Sequence, residues 1–188
     1  MPTDSNIDFF SFYQNKFGPD YYQGELNARL PEIYTLREYQ TILGVGSGRA
    51  IIEDYLASIG RKVIASDINP QLVHLARNKL RFLTNYIIAD CWHLPFAENS
   101  FEAVYSQGLL EHFEPEEQLV ILREMWRVCS KGVIFAVPAP DYSFQDFGRE
   151  YRFSKKEWQE RLKNPFNNFS ISTYWEELGV IILGTIHK

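Results

Sequence analysis

The sequence predicts a doubly wound α/β fold: a mostly parallel seven-stranded sheet with helices on both faces and an antiparallel hairpin at its C-terminal edge. Three observations predict it. From residue 41 onward, short apolar runs alternate with stretches of helical period, the pattern of strands joined by crossover helices. The first apolar run ends in the turn Gly44-Val45-Gly46-Ser47-Gly48, and the second ends in an acid, Asp67. The last two apolar runs meet around Gly179, with too short a link for a crossover, so they pair antiparallel.

The elements follow in order. Residues 41–45 form a first buried strand. Over 50–59, Ile51, Ile52, Tyr55, Leu56 and Ile59 share one helical face, and Gly60 sits where a helix terminates. Residues 62–67 form the second strand. Asn69-Pro70 supplies an N-cap and a first-turn proline for a helix continued by Leu72, Val73, Ala76, Leu80 and Leu83. Strands at 86–90 and 101–106 follow. Pro115 opens a helix to about residue 128, and a fifth strand at 132–137 stops at Pro138 and Pro140. Ser154 and Glu157 match a capping box for a helix to residue 162. Residues 169–174 and 180–187 form the terminal hairpin. The first 40 residues are less regular, with helical stretches at 8–17 and 24–36.

Composition narrows the class. The chain has 188 residues, 45% of them hydrophobic, which suits one compact domain over residues 1–188. No repeat or linker divides it. The formal net charge of −5 disfavours a protein that blankets nucleic-acid phosphates. Cys91 and Cys129 are isolated, so no thiol metal or redox motif is present and a reducing compartment is expected. The N-terminus lacks a signal-peptide pattern, and no apolar run approaches the roughly 20 residues of a membrane span. A cytoplasmic protein is the expectation.

In an open α/β sheet, ligands bind where strand order reverses, at the carboxyl ends of the strands. Glycines in the first strand-to-helix turn let backbone approach a ligand closely. Asp67 lies 19 residues past Gly48, the spacing of an acid that accepts from ribose hydroxyls. The dinucleotide fingerprint G-x-G-x-x-G/A fails in both registers, meeting Ile51 from Gly46 and Arg49 from Gly44. No phosphate-binding P-loop pattern occurs.

The run Ile42-Leu43-Gly44-Val45-Gly46-Ser47-Gly48-Arg49-Ala50 resembles the first motif of class I S-adenosylmethionine-dependent methyltransferases. Val63-Ile64-Ala65-Ser66-Asp67-Ile68-Asn69 resembles the second. Ile88-Ala89-Asp90-Cys91-Trp92-His93-Leu94-Pro95-Phe96 resembles the third, and Gly108-Leu109-Leu110-Glu111-His112-Phe113 resembles the segment after the fourth strand. The resemblance covers residues 40–138, the expected cofactor-binding core, and implies S-adenosylmethionine as cofactor, leaving as S-adenosylhomocysteine. It implies that Gly46, Ser47 and Gly48 lie along the methionine part, that Asp67 holds the ribose and that Ile68 packs on adenine. The resemblance further implies that Asp90 accepts from the adenine amino group, with Cys91 and Trp92 beside the ring, and that Gln107 offers backbone to the cofactor's amino group. For Ile68 and Trp92, ordinary packing is the alternative.

Two positions depart from the family. Ala50 replaces a third glycine. Gly44 replaces an acid that orients the ligand's ammonium end, and this predicts weaker cofactor binding than is usual for the family.

Methyl transfer from a sulfonium is governed largely by alignment, and a general base helps only when the acceptor must lose a proton. His112 is the candidate base, with a structural histidine as the alternative. The acceptor is expected to be a small molecule, with neither nucleic acid nor membrane as partner and no metal. Phe9, Phe10, Phe12, Tyr13, Phe17, Tyr21 and Tyr22 crowd the N-terminal stretch. Tyr142, Phe144, Phe147, Tyr151 and Phe153 crowd the segment after the fifth strand. These either close over the site as a lid formed by residues 1–40 and the crossover in 139–188, or serve ordinary packing. Arg149 and Arg152 are candidates to meet an anionic acceptor. The competing functional reading is a non-catalytic binding module or partner subunit that keeps the fold.

Overall fold

A computed structural model describes residues 9–13, 15–16, 18–143 and 148–188. Strands β1 (Thr41–Val45), β2 (Lys62–Asp67), β3 (Asn85–Ile88), β4 (Phe101–Gln107) and β5 (Cys129–Pro138) are parallel. β6 (Phe169–Glu176) and β7 (Gly179–His187) form the antiparallel hairpin, and β7 pairs with β5. The order across the sheet is β3-β2-β1-β4-β5-β7-β6. The chain winds outward from β1 to β3 and then restarts on the other side of β1. The reversal therefore lies between β1 and β4, and the ends of these two strands flank the crevice.

Alternation along each strand divides the core into two layers. Val133, Phe135 and Val137 face the layer covered by α6 (Pro115–Val128) and α7 (Lys155–Leu162), with Ile121, Met125 and Trp158. Ile134 and Ala136 face the opposite layer, covered by α2 (Pro19–Ala28), α3 (Leu30–Leu36), α4 (Ile51–Ser58) and α5 (Pro70–Lys79), with Leu36, Leu56 and Tyr86. Helices thus cover both faces, as the alternating pattern predicts. The capping signals operate as expected: Asn69 accepts from the N–H groups of Gln71 and Leu72, and Ser154 with Glu157 closes the reciprocal box at α7.

Two elements depart from expectation. The helical stretch at 24–36 is broken at Arg29, which leaves helical geometry and separates α2 from α3. Pro31 explains the break, because a continuous helix through it would lose an N–H and place its ring against the preceding turn. The helix after Asn69 ends at Lys79 rather than continuing to Leu83. There the Asp54 carboxylate accepts from the N–H groups of Arg81, Phe82 and Leu83 at 3.0, 2.7 and 2.8 Å, taking donors a helix would need. A short helix α1 (Phe9–Tyr13) precedes α2 and contacts α5.

Residues 19–36 are integral to the packing. Leu26, Ile33 and Leu36 are buried in the second layer. Glu32 accepts from the Tyr174 hydroxyl at 2.6 Å, and Arg29 ion-pairs with Glu25 and Glu176, tying the α2–α3 segment to β6. Of the expected lid aromatics, Phe17, Phe144 and Phe147 lie outside the described residues.

Candidate functional site

The turn between β1 and α4 is left-handed at both outer glycines, with φ of +64° at Gly46 and +52° at Gly48. Glycine adopts this region without the Cβ penalty. A Cβ at Gly46 would lie 2.6 Å from Leu109 Cδ1, so that flank is closed. A Cβ at Gly48 would meet nothing within 4 Å, which leaves open space beside the Gly48 Cα. Ala50 is also left-handed, at φ +52°. The departure from glycine there is accommodated as strained backbone at the entry to α4.

The turn and β2 form one hydrogen-bonded unit. The Ser47 N–H donates to the Ser66 carbonyl at 2.9 Å. Asp67 Oδ2 accepts from the Gly48 N–H and Oδ1 from the Asn69 N–H, each at 2.9 Å. The Tyr86 hydroxyl donates to the Gly48 carbonyl at 2.6 Å. Burial raises the Asp67 carboxyl above its ordinary value, and the N–H groups of Asn69, Gly48 and Ile68 offset part of that rise. A carboxylate has about four acceptor positions, so the hydrogen bonds from the Gly48 and Asn69 N–H groups leave one further position on each oxygen.

Ile68 follows directly and is 51% exposed, an apolar side chain at a strand end that the protein leaves uncovered. Asp90 stands one strand over, where Oδ1 accepts from the Trp92 N–H at 3.0 Å and fixes the turn. Cys91 is pushed up to about 12, first by burial and then by the Asp90 charge, so its thiol stays protonated. Trp92 packs edge-on against Phe113 at 5.8 Å, which favours packing as its role. Gln107 ends β4. With its side-chain oxygen turned toward Arg29 it accepts from Nε at 3.2 Å and Nη2 at 3.0 Å.

His112 closes a short 3₁₀ turn, Leu110–His112, after β4. Burial lowers its pKa, the Glu150 charge opposes this, and the Arg152 charge adds to it. The net direction is down, so the imidazole is neutral at pH 7 and competent to accept a proton. Arg152 pairs with Glu150 and donates to the Tyr142 carbonyl, and Arg149 lies over the Tyr151 ring.

Sequence reasoning missed three groups. Arg29, from the α2–α3 break, reaches a cavity of about 40 Å³ beyond the ends of β4 and β5, lined also by Gln107, Glu111, Tyr142, Glu150 and Arg152. No local pattern marks an arginine that acts through the tertiary fold. Glu111, inside the fourth resembling segment, is buried at 4% exposure. Glu53 is also buried at 4%, on the face of α4 shared with Leu56. An acid three residues before a buried leucine was the available signal. Among the described residues, no group of His, Cys, Asp and Glu is placed to hold a metal ion, and no helix is long and apolar enough to cross a membrane.

A glycine turn, an acid ending β2 and an acid following β3, set at a reversal of strand order, define an α/β domain built for a nucleoside-bearing ligand. Residues 43–137 match the methyltransferase domain family. The chain is 31% identical over 108 residues to the ubiquinone/menaquinone biosynthesis C-methyltransferase UbiE of Haemophilus ducreyi, covering 52% of this chain and 40% of that protein. It is 30% identical over 91 residues to the biotin biosynthesis bifunctional protein BioHC of Cellvibrio japonicus, covering 48% of this chain and 18% of that protein. The chain thus spans well under half the length of these relatives. A SAM-dependent methyltransferase from Archaeoglobus fulgidus superposes with a TM-score of 0.75 at 15% identity, covering 97% of this chain and all of that one. Magnesium protoporphyrin IX methyltransferase from Synechocystis, with bound SAM, gives 0.65 at 16% identity, covering 99% of this chain. The chain belongs to the methyltransferase domain family, the class I S-adenosylmethionine-dependent methyltransferases, whose cofactor is S-adenosylmethionine.

Proposed function

We propose that this protein transfers a methyl group from S-adenosylmethionine to a small acceptor bearing polar groups, bound beyond the ends of β4 and β5. The observation that carries the reading is the Gly48–Asp67 unit, with open space beside the Gly48 Cα on one side and an uncovered Ile68 on the other. When bound, the cofactor supplies a methyl group already activated on a sulfonium. Asp67 accepts from the ribose hydroxyls, Ile68 supports one adenine face, and Asp90 accepts from the adenine amino group, with Cys91 and Trp92 near the ring. Gly46, Ser47 and Gly48 run along the methionine part, and Gln107 meets its amino group.

The acceptor's class is inferred from the cavity beside Gln107. Arg29 and Arg152 stand there with Glu111 and Glu150. Such a lining suits an acceptor with polar or charged groups better than a purely apolar one. His112, acted on by the charges of Glu150 and Arg152 from the cavity lining, is the residue assigned to take a proton from the acceptor as the methyl group arrives. The α2–α3 segment and the segment after β5 enclose this side of the site.

Incubation of the purified protein with methyl-labelled S-adenosylmethionine and a cell extract tests the reading. Formation of S-adenosylhomocysteine with label in a small-molecule fraction supports it. Binding of the cofactor without any turnover across extracts favours the second reading, a cofactor-binding module or partner subunit, toward which the missing acid at Gly44 points.

A further inference from the structure

Gly44 lies buried at the end of β1, between Ala65 of β2 and Tyr105 of β4. A side chain there would collide with its surroundings: an ideal Cβ falls 2.2 Å from Glu53 Oε1, 2.9 Å from Glu53 Cγ and 2.5 Å from Ser47 Oγ. The space that a residue-44 side chain would use is therefore filled by the Glu53 carboxyl, delivered from the first turn of α4. Glu53 in this position requires glycine at 44.

Glu53 is also an acid that lacks a counter-charge. Its neighbours on α4, Ile51, Ile52 and Leu56, are buried and apolar. The charges that act on it most are those of Glu25 and Asp67, both negative. The nearby guanidinium of Arg49 is engaged by Glu25, and no cation pairs with Glu53 among the described residues. Burial holds the carboxyl up at about 7, against the lowering effect of the Ser47 hydroxyl and its own backbone N–H. Leaving a carboxylate in such a place is costly unless a positive charge arrives to meet it. The carboxyl stands beside Ser47, at the centre of the turn assigned to the methionine part of the cofactor.

We propose that Glu53 is a cofactor-binding residue whose carboxylate, seated in the space left by Gly44, takes up the ammonium charge of the amino-acid end of S-adenosylmethionine. The proposal rests on the cofactor reading of the site. It replaces the expectation that Gly44 leaves the ligand's ammonium unmet: the acid is present, supplied by the helix instead of the strand. Gln107 adds its backbone from β4.

The test compares two ligands on the intact protein by calorimetric titration at about pH 8, where the free carboxyl is mostly ionised. S-adenosylhomocysteine carries the amino-acid end, and 5′-methylthioadenosine has the same nucleoside without it. Glu53→Gln keeps shape and volume and removes the charge. It is expected to weaken S-adenosylhomocysteine by about tenfold or more, while 5′-methylthioadenosine changes by less than about twofold. Equal loss on both ligands, or no loss on either, overturns the assignment to Glu53 while leaving the cofactor site in place. Failure of the unaltered protein to bind either ligand overturns the site reading itself. The swap Gly44→Asp with Glu53→Ala supplies a second measurement. Recovery of S-adenosylhomocysteine binding above that of Glu53→Ala alone supports the exchange of positions, and no recovery in a folded double variant overturns it.

Discussion

Asp67 accepts the Gly48 N–H at 2.9 Å, so the acid that ends β2 and the turn that ends β1 are joined before any ligand arrives. The same carboxylate holds the Asn69 N–H and thereby fixes the entry to α5. Asp67→Ala is expected to leave two partly buried donors unsatisfied, at a cost of about 2 kcal/mol. It should also weaken both S-adenosylhomocysteine and 5′-methylthioadenosine by more than about tenfold, since the ribose is common to both. Thermal unfolding together with titration checks the two parts. Unchanged binding in a folded Asp67→Ala protein would remove Asp67 from the ligand site.

Glu53 ties stability to pH. An unfolded glutamate releases its proton near 4.5 and the folded Glu53 near 7. Between these values the folded state holds more protons than the unfolded state, so stability falls as pH rises through this window and levels above it. The ceiling of the effect is about 3 kcal/mol at 1.36 kcal/mol per unit. Glu32, raised by burial to about 6, acts in the same direction with a smaller span. Glu102, Glu124 and Glu157 are lowered and act at more acid pH, outside this window. Urea unfolding across the window is expected to show the decline, and Glu53→Gln should remove most of it. A slope unaffected by that substitution would mean that Glu53 is ionised in the free protein at all these pH values.

Much of this site was legible because its signals are local. The glycine turn, the strand-end acid and the spacing between them are properties of consecutive residues and of one crossover, and the parallel pairing of β1 with β2 brings them together beside the reversal. The hairpin around Gly179 and the caps at Asn69 and Ser154 were legible for the same reason. Glu53 and Arg29 were not. Glu53 matters because a neighbouring strand carries a glycine whose empty side faces α4, and Arg29 matters because Tyr174 and Glu176, far along the chain, receive it. The true end of α5 was hidden likewise, since it depends on Asp54 in a different helix.

His112 gives a kinetic prediction with a definite sign. A base must be neutral to accept a proton, and burial lowers the His112 pKa below its ordinary value of 6.5. The acid limb of kcat/KM should therefore lie below pH 6.5, with a level profile through neutrality. His112→Ala is expected to lower turnover by about 100-fold and abolish that limb, with cofactor affinity changed far less. A profile and rate like those of the unaltered protein would return His112 to a purely structural role.

Phe135 and Gly184 are register partners across β5 and β7, and the Phe135 ring covers the glycine. A Cβ at Gly184 would come within 2.1 Å of Phe135 Cζ, and the ring cannot retreat because it packs on Trp158 at 4.8 Å. Gly184→Ala is expected to destabilise the protein by about 2 kcal/mol through overpacking. Chemical denaturation measures this directly. A neutral result would show that the hairpin shifts freely against the sheet.

Arg29 decides how firmly the segment enclosing the site is held. Its side chain is 11% exposed, bonded to Glu25, Glu176 and the Tyr174 hydroxyl, with its guanidinium also beside Gln107. Removing one member of a buried ionic cluster strands the others, so Arg29→Ala is expected to cost about 3 kcal/mol. Glu25 on α2 and Glu176 on β6 then lose the cation that joins them, and the loss should fall first on that junction. Limited proteolysis distinguishes this from uniform weakening. Residues 19–36 should resist cleavage in the unaltered protein whether or not cofactor is added, because Leu26, Ile33 and Leu36 are core. In Arg29→Ala, cleavage should appear there before it appears in the β1–β5 region. Early cleavage of this segment in the unaltered protein, suppressed by cofactor, would instead establish it as a lid that opens.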